Sequence, residues 1–276
     1  MYIDLHCHSN ISDGALSPTN LMQMAYENGA TMISLTDHDN IDGLYEAQQA
    51  SKFHNISFIN GVEISTTWRG KNIHIVGLNF KISDNFAEVL QKNRSGRIIR
   101  LQKIAEKLEK KLKISNIYQD ILNLCPNPEN VSRTHVAQFL ETNNYVKNKN
   151  EAFRKWLGDG KQAYVKHEWI SLENAVELIT SHQGIACIAH PARYKLSATA
   201  LRNLCEEFIS YGGRAIEVSS STHSMNERLN LALLANRYDL YASAGSDFHG
   251  HGEYGRKIGI TPDLPQTCKP VWDLFN

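Results

Sequence analysis

What most constrains this chain is where its histidines and acids fall: they recur at the ends of short strand-like runs. Tyr2-Ile3-Asp4-Leu5 leads into His6-Cys7-His8, and Asp13 follows in a Ser-Asp-Gly turn. In a strand, residues i and i+2 point to the same side. His6 and His8 therefore aim two imidazoles at one point just past a strand end, and Cys7 faces the other way, into packing. Two neutral imidazoles converging there are costly to bury unless a cation or a carboxylate satisfies them. The pattern then repeats. Residues 30–35 stop at Thr36-Asp37-His38-Asp39, and 56–60 lead to Gly61-Val62-Glu63. Residues 73–78 contain His74, 184–189 end in His190-Pro191, 214–218 contain Glu217, and 240–245 end in Ser246-Asp247-Phe248-His249.

Helical patterns separate these seven runs. Ser17 is placed to cap a helix reaching to about residue 28, with Pro18 in its first turn. Further helices are expected over 40 to about 52, 172–182, 198–211 and 226–238. Strand and helix in alternation predict parallel pairing through right-handed crossovers. Residues 82–165 read as helix without convincing strands. The expectation is an α/β barrel-like catalytic unit formed by 1–81 and 166–276, interrupted by a small helical insert at 82–165. In such barrels chemistry collects at the C-terminal ends of the strands, where most of these residues lie.

A chain of 276 residues can bury one large core, or one core plus a small insert. A formal net charge of zero argues against a general polyanion binder. The five cysteines are odd in number and lack C-x-x-C spacing, which points to free thiols in a reducing compartment. The first residues run straight into a strand, without the pattern of a secretory signal, and no stretch approaches the roughly 18 apolar residues of a membrane span. The expected setting is the cytoplasm, with no membrane contact.

A lone strand histidine is usually a satisfied core residue, and a lone Asp13 would be a turn residue. Asp39 could cap the helix that follows it. Those readings weaken when the residues are taken together. Glu63, at the end of an apolar strand, is costly to bury without a cation, and Asp247-Phe248-His249 repeats the same-face spacing of the opening motif. Imidazoles mixed with carboxylates suit Mn²⁺, Zn²⁺ or Fe²⁺ better than a thiolate site would. The candidate ligands are His6, His8, Asp13, His38, Glu63, His74, His190, Asp247 and His249. They exceed what one ion needs, so two or three divalent ions are implied.

His6-Cys7-His8, Thr36-Asp37-His38, Gly61-Val62-Glu63, His190-Pro191 and the stretch 245–249 resemble the four-motif pattern of the PHP (polymerase and histidinol phosphatase) family, over essentially the whole chain. Ser132-Arg133-Thr134-His135, the stretch 190–194, Ile216-Glu217-Val218, Asn226-Glu227-Arg228 and Gly255-Arg256-Lys257 are similar to its branch of 5′-to-3′ exoribonucleases and 3′,5′-nucleoside bisphosphate phosphatases. The resemblance implies a distorted seven-stranded (β/α)7 barrel and a three-metal centre. In it His6, His8, Glu63 and Asp247 hold one ion. Glu63 bridges to a second, held also by His74 and His190, and Asp13, His38 and His249 hold the third. Asp13 stands where many members of the wider family carry His, and Mn²⁺ is the metal expected for this branch. Ser132-Arg133-Thr134-His135 stands where a Gly-Arg-Pro-His form is common, with the Arg and His kept.

Clustered cations activate water and clamp phosphoryl oxygens for in-line attack, so no Ser or Cys nucleophile is needed. Arg133 and Arg193 are the expected phosphate binders, because a guanidinium fork matches phosphate bidentately. His135 is expected to bind phosphate or protonate the leaving group. His223 and Arg256 are further substrate-facing candidates, and Asp37 and Asp39 are expected to orient imidazoles. From Lys92 to Lys113 nine Lys/Arg stand against Glu106 and Glu109, with an apolar stripe through Ile98, Leu101, Ile104, Ala105, Leu108 and Leu112. A solvated helix face is the plain reading. Beside a phosphoesterase centre, the same run reads as a contact for RNA 5′ ends. The expected activity is hydrolysis of the 3′-phosphate of 3′,5′-nucleoside bisphosphates such as pAp, with trimming of RNA from a 5′-monophosphate end. The rivals are a phosphomonoesterase for a small metabolite such as histidinol phosphate, and a catalytically silent metal-binding module.

Overall fold

Short apolar runs become strands, and serines open most of the helices between them. The computed structural model describes residues 2–125, 127–250 and 257–275. Among these the strands are β1 (Tyr2–Cys7), β2 (Ala30–Leu35), β3 (Ser57–Trp68), β4 (Lys71–Leu78), β5 (Ile170–Ser171), β6 (Ile185–Ile188), β7 (Ala215–Ser220) and β8 (Tyr241–Gly245). The helices are α1 (Pro18–Glu27), α2 (Leu44–Phe53), α3 (Asp84–Leu112), α4 (Ile117–Asn123), α5 (Arg133–Thr142), α6 (Lys149–Ala152), α7 (Leu172–Ser181), α8 (Ala198–Ser210) and α9 (Met225–Arg237). Ser17, Ser83, Ser171, Ser197 and Ser224 each accept a backbone N–H of the following first turn. Each such cap is worth about 1 kcal/mol. Helix α2 begins later than its periodicity predicts, because Asp39 is left-handed at φ 50° and Asn40 accepts the Asp42 amide in a turn.

The strands form one sheet in the order β1-β2-β3-β4-β6-β7-β8, with the two-residue β5 beside the far end of β3. The sheet curls into a nearly closed seven-stranded barrel. Cys7 pairs with Phe248 across the seam, and the Asp247 amide donates to the His6 carbonyl at 2.7 Å. Buried Asp4 seals the same seam by accepting the amides of Ser246 and Gly259, each at 2.8 Å. Gly245 is required there, since a Cβ would stand 2.2 Å from that of His6 and 2.5 Å from Glu217 Oε1.

The expectation of parallel pairing throughout is corrected. β3–β4 and β4–β6 are antiparallel, while β1–β2, β2–β3, β6–β7 and β7–β8 are parallel. The cause is local. Arg69 and Gly70 both have positive φ, 47° and 75°, and close a two-residue hairpin whose twist suits antiparallel strands. Reversing β4 brings His74, near its start, to the end of the barrel where β1 and β2 finish.

The largest apolar cluster lies between sheet and helices, around Leu21, Ile33, Val62, Ile75, Ile179 and Phe208. A second, around Leu101, Leu108, Ile121, Val136 and Leu140, belongs to the helical segment. Helix α3 serves both: Phe86 and Leu90 pack on the barrel cluster, and Leu101, Ile104 and Leu108 on the second. The cysteines are free thiols, and among the described residues no helix is long and apolar enough to cross a membrane.

Candidate metal centre

Strand alternation does at the barrel mouth what the H-x-H spacing predicts. The Nε2 atoms of His6 and His8 lie 3.2 Å apart, both buried, while Cys7 turns away to donate to the Ser34 carbonyl. Glu63, wholly buried on β3, sits at the centre. Its Oε2 lies 3.3 Å from His6 Nε2, 3.2 Å from His8 Nε2 and 3.0 Å from His38 Nδ1. Its Oε1 lies 2.8 Å from both His74 Nδ1 and His190 Nε2. Asp247 Oδ1 is 3.5 Å from His6 Nε2 and 3.3 Å from His8 Nε2. Asp13 Oδ1 is 3.3 Å from His249 Nε2 and 3.8 Å from His38 Nε2.

Three sets of side chains could each hold an ion: His6, His8, Glu63 and Asp247; His8, Asp13, His38 and His249; and His38, Glu63 and His74. His190 stands outside them but touches Glu63. The donors suit divalent cations by a test internal to the structure. Glu63 Oε2, Asp13 Oδ1 and His38 Nδ1 are buried within ion-pair reach of one another's groups, yet make no hydrogen bond among the described residues. Such atoms are costly to leave unmatched. They converge on shared points rather than on each other.

Protons take the part of cations when none is bound. Burial opposes charge on His8, but Asp247 and Glu63 outweigh it and raise its pKa to about 9. Burial alone would raise the Glu63 carboxyl, yet His38, His6 and His74 hold it well below the usual carboxylate range. Burial and then Arg193 push His190 down to about 4. Backbone strain gathers here too: Asp39, His190 and Asp247 are all left-handed, at φ 50°, 27° and 52°.

Several supporting residues lie outside the candidate ligand set, and their roles appear only in the structure. Glu217 on β7 faces His6 Nδ1 at 3.2 Å and accepts the His190 amide at 2.5 Å, so it orients two of the cluster residues. Ser132 donates to Asp13 Oδ2 at 2.8 Å. The Tyr194 hydroxyl accepts the His74 amide at 2.9 Å. Asp37 and Asp39 do not orient imidazoles as expected. Asp37 accepts Ser9 and Ser12 hydroxyls at 2.6 Å, pinning the loop that carries Asp13. Asp39 accepts the Ser65 amide at 2.8 Å and pairs with Arg97.

One cleft is lined by Asp13, His38, Glu63, His74, His190, Asp247 and His249 together with Arg97, Arg100, Arg133 and Arg193. Arg193 pairs with Asp247. Arg133 lies over the Phe153 ring, 5.7 Å from its centroid, and reaches the Leu157 carbonyl. His135 is not among the residues lining this cleft. Its Nδ1 accepts the Ser132 amide at 3.1 Å and so caps α5. His223 is likewise not among them; it is buried, its Nδ1 3.1 Å from the Val218 carbonyl. Arg256 lies outside the described residues. The basic run of α3 divides by residue type. Arg94, Arg97 and Arg100 are buried toward the barrel, whereas Lys92, Lys103, Lys107, Lys110, Lys111 and Lys113 are exposed.

Fold and cluster define an α/β barrel whose mouth carries a histidine and carboxylate centre able to hold divalent ions. The chain belongs to the PHP domain family, whose model matches residues 4–221. It is 44% identical over 271 residues to the 3′,5′-nucleoside bisphosphate phosphatase of Chromobacterium violaceum, covering 98% of this chain and 95% of that one. It is 42% identical to the 5′-3′ exoribonuclease of Haemophilus influenzae, covering 99% and 98%. A solved amidohydrolase structure from Chromobacterium violaceum, with bound sulfate and no metal, superposes with TM-score 0.95 at 42% identity, over 99% of this chain and 96% of that one. A structure from Bifidobacterium adolescentis, 24% identical, superposes with TM-score 0.84 over 96% and 93%, and so shares the fold.

Proposed function

We propose that this protein is a metal-dependent phosphoesterase that removes the 3′-phosphate from 3′,5′-nucleoside bisphosphates such as pAp. On the same reading it trims RNA one nucleotide at a time from a 5′-monophosphate end. These are one reaction, in which the bond to the 3′-phosphorus of the 5′-terminal nucleotide is cut. The observation that carries the reading is a single cleft lined by both the histidine and carboxylate cluster and several arginines. Full-length identity to a bisphosphate phosphatase and to a 5′-3′ exoribonuclease supports the substrate class.

His6, His8, Glu63 and Asp247 would hold one ion, His74 and His190 together with Glu63 a second, and Asp13, His38 and His249 a third. Divalent ions bound there, Mn²⁺ by preference, supply Lewis acidity and an activated water at neutral pH. The chain's own groups do the positioning. Glu63 presents its two carboxylate oxygens to different imidazoles and is built to bridge. Arg193, fixed by Asp247, binds the reacting phosphoryl group through the planar fork that suits it. Arg133, braced on Phe153, binds phosphate from the segment 82–165, which acts as the insert of the barrel 1–81 and 166–276. The exposed lysines of α3 give longer RNA a screened, sequence-independent contact.

The test is phosphate release from pAp with Mn²⁺, alongside 5′-AMP, 3′-AMP, histidinol phosphate and 5′-phosphorylated RNA. Turnover of pAp and RNA without turnover of 5′-AMP is the expected result. Faster cleavage of histidinol phosphate or of generic monoesters would reject the substrate class. Bound metal without any turnover would reject the enzyme.

A further inference from the structure

His74 is the most exposed of the candidate ligands, with 23% of its side chain accessible against 2% for His6. Among the described residues its ring makes one hydrogen bond, to Glu63 Oε1 at 2.8 Å. His6, by contrast, is met at both ring nitrogens, by Glu217 and by His8. His74 also stands shortly after the Arg69-Gly70 turn, near the start of β4. The placement of its imidazole therefore depends on how firmly its backbone is held.

A side chain does the holding. Strand β4 pairs with β6 from Leu78 to Ile75, opposite Ile185 to Ile188. One more bond extends this ladder, from the Ala189 amide to the His74 carbonyl at 3.1 Å. There the strand stops, because His190 is left-handed at φ 27° and leads into the short 3₁₀ turn Pro191–Tyr194. The turn brings the Tyr194 hydroxyl back to the edge that β6 has left. That hydroxyl accepts the His74 amide at 2.9 Å and donates to the His74 carbonyl at 3.3 Å. From the β3 side, the Thr66 hydroxyl donates to the Ile73 carbonyl of the same peptide unit at 2.7 Å. The Tyr194 ring meets the His190 ring edge-on, with centroids 5.4 Å apart. One residue thus touches the backbone of one candidate ligand and the ring of another, and both imidazoles lie 2.8 Å from Glu63 Oε1. Tyr194 is not among the residues lining the cleft, so it acts through these neighbours.

We propose that Tyr194 is a positioning residue for the one ion shared by Glu63, His74 and His190. Its hydroxyl fixes the reach of His74 toward Glu63, and its ring fixes the tilt of His190. The proposal rests on the metal-dependent reading above. Among the described residues the hydrogen bonds and ring contacts of Tyr194 reach only His74 and His190, so its loss should loosen one ion and spare the others.

The test is Tyr194→Phe, which keeps the ring and removes the hydroxyl. It is measured by Mn²⁺ content after dialysis, by the Mn²⁺ dependence of pAp turnover, and by urea unfolding of the chelated protein. Mn²⁺ content is expected to fall by about one ion per chain relative to the unaltered protein, and half-maximal turnover to need about 10- to 100-fold more Mn²⁺. At saturating Mn²⁺ kcat should recover, with KM for pAp little changed. Tyr194→Leu, which also removes the ring beside His190, should recover only in part. A less stable chelated protein with unchanged Mn²⁺ content and dependence would make Tyr194 structural only and overturn the proposal. Loss of all bound Mn²⁺ in Tyr194→Phe would overturn it too, since the hydroxyl would then serve the whole cluster. If Tyr194→Phe sheds one ion while the unaltered protein fails to turn over pAp, the function above falls and the positioning role stands.

Discussion

Glu63 shows at the scale of one residue why this centre asks for cations. Five imidazoles surround its carboxylate within 3.3 Å, in a place no water reaches freely. Without metal, protons must hold these groups together. His8 titrates near 9 in the folded chain, against an ordinary 6.5. Its proton therefore stabilises the ion-free fold fully below about pH 6.5, and that stability fades as pH rises through about 9. A metal competes for the same nitrogen, so its affinity should climb with pH across this window. Calorimetry in buffers of different ionisation heat should show about one or more protons released per ion bound near pH 7, and fewer near pH 9.5. Uptake without proton release would refute the protonated cluster. Glu217 gives a second prediction. Replacing it as Glu217→Gln removes the charge facing His6 Nδ1 and should weaken metal binding about 10- to 100-fold with the fold retained. Unchanged metal titration would show that Glu217 orients nothing. The candidate ligands were legible because same-face spacing and strand ends are local properties. Glu217 and Ser132 stood out as members of their motifs, but their roles did not, because each acts on a partner more than a hundred positions away, His6 and Asp13.

Elements explain where charge reading from sequence fails. Helix α3 carries its arginines inward and its lysines outward, although both look alike in a basic run. The difference is chemical. A guanidinium can be buried against an aromatic ring and a carboxylate, whereas an ammonium is strongly hydrated. Arg97 joins α3 to the barrel through Asp39, itself wholly buried. Arg97→Met leaves that carboxylate with Ser65 and Asn93 alone, and should cost about 3 kcal/mol in urea unfolding. Lys103→Met, at an exposed position, should stay within about 0.5 kcal/mol. Equal effects at the two positions would mean the buried pair does not anchor the helix. The antiparallel β4 escaped the alternation rule for a related reason. The rule counts strands and helices, but Arg69-Gly70 is a two-residue turn with no helix to count, and only its positive φ pair reverses the chain. The apolar stripe of α3 was readable, because periodicity is preserved whatever the other face binds.

For the whole molecule, the centre works as a clasp. His6 and His8 come from β1, Glu63 and His74 from β3 and β4, and Asp247 and His249 from the loop after β8. The seam that closes the barrel, between β1 and β8, passes directly beneath these groups. Ions bound by both sides of that seam must be released before it opens, so metal binding and global stability are linked. With free metal at about 1,000 times Kd, the linkage contributes about 4 kcal/mol. For a chain of this size that corresponds to roughly 10 °C in the unfolding midpoint. Thermal unfolding after dialysis against a chelator should therefore fall by about that much, and Mn²⁺ should restore it without restoring any disulfide or partner chain. The same scan on Glu63→Gln should show a smaller response to added metal, because Glu63 belongs to two of the three candidate ligand sets, while the seam hydrogen bonds remain. A midpoint indifferent to chelation would place the ions outside the fold's energetics, and would leave the buried, unmatched oxygens of Glu63 and Asp13 to be satisfied by protons alone.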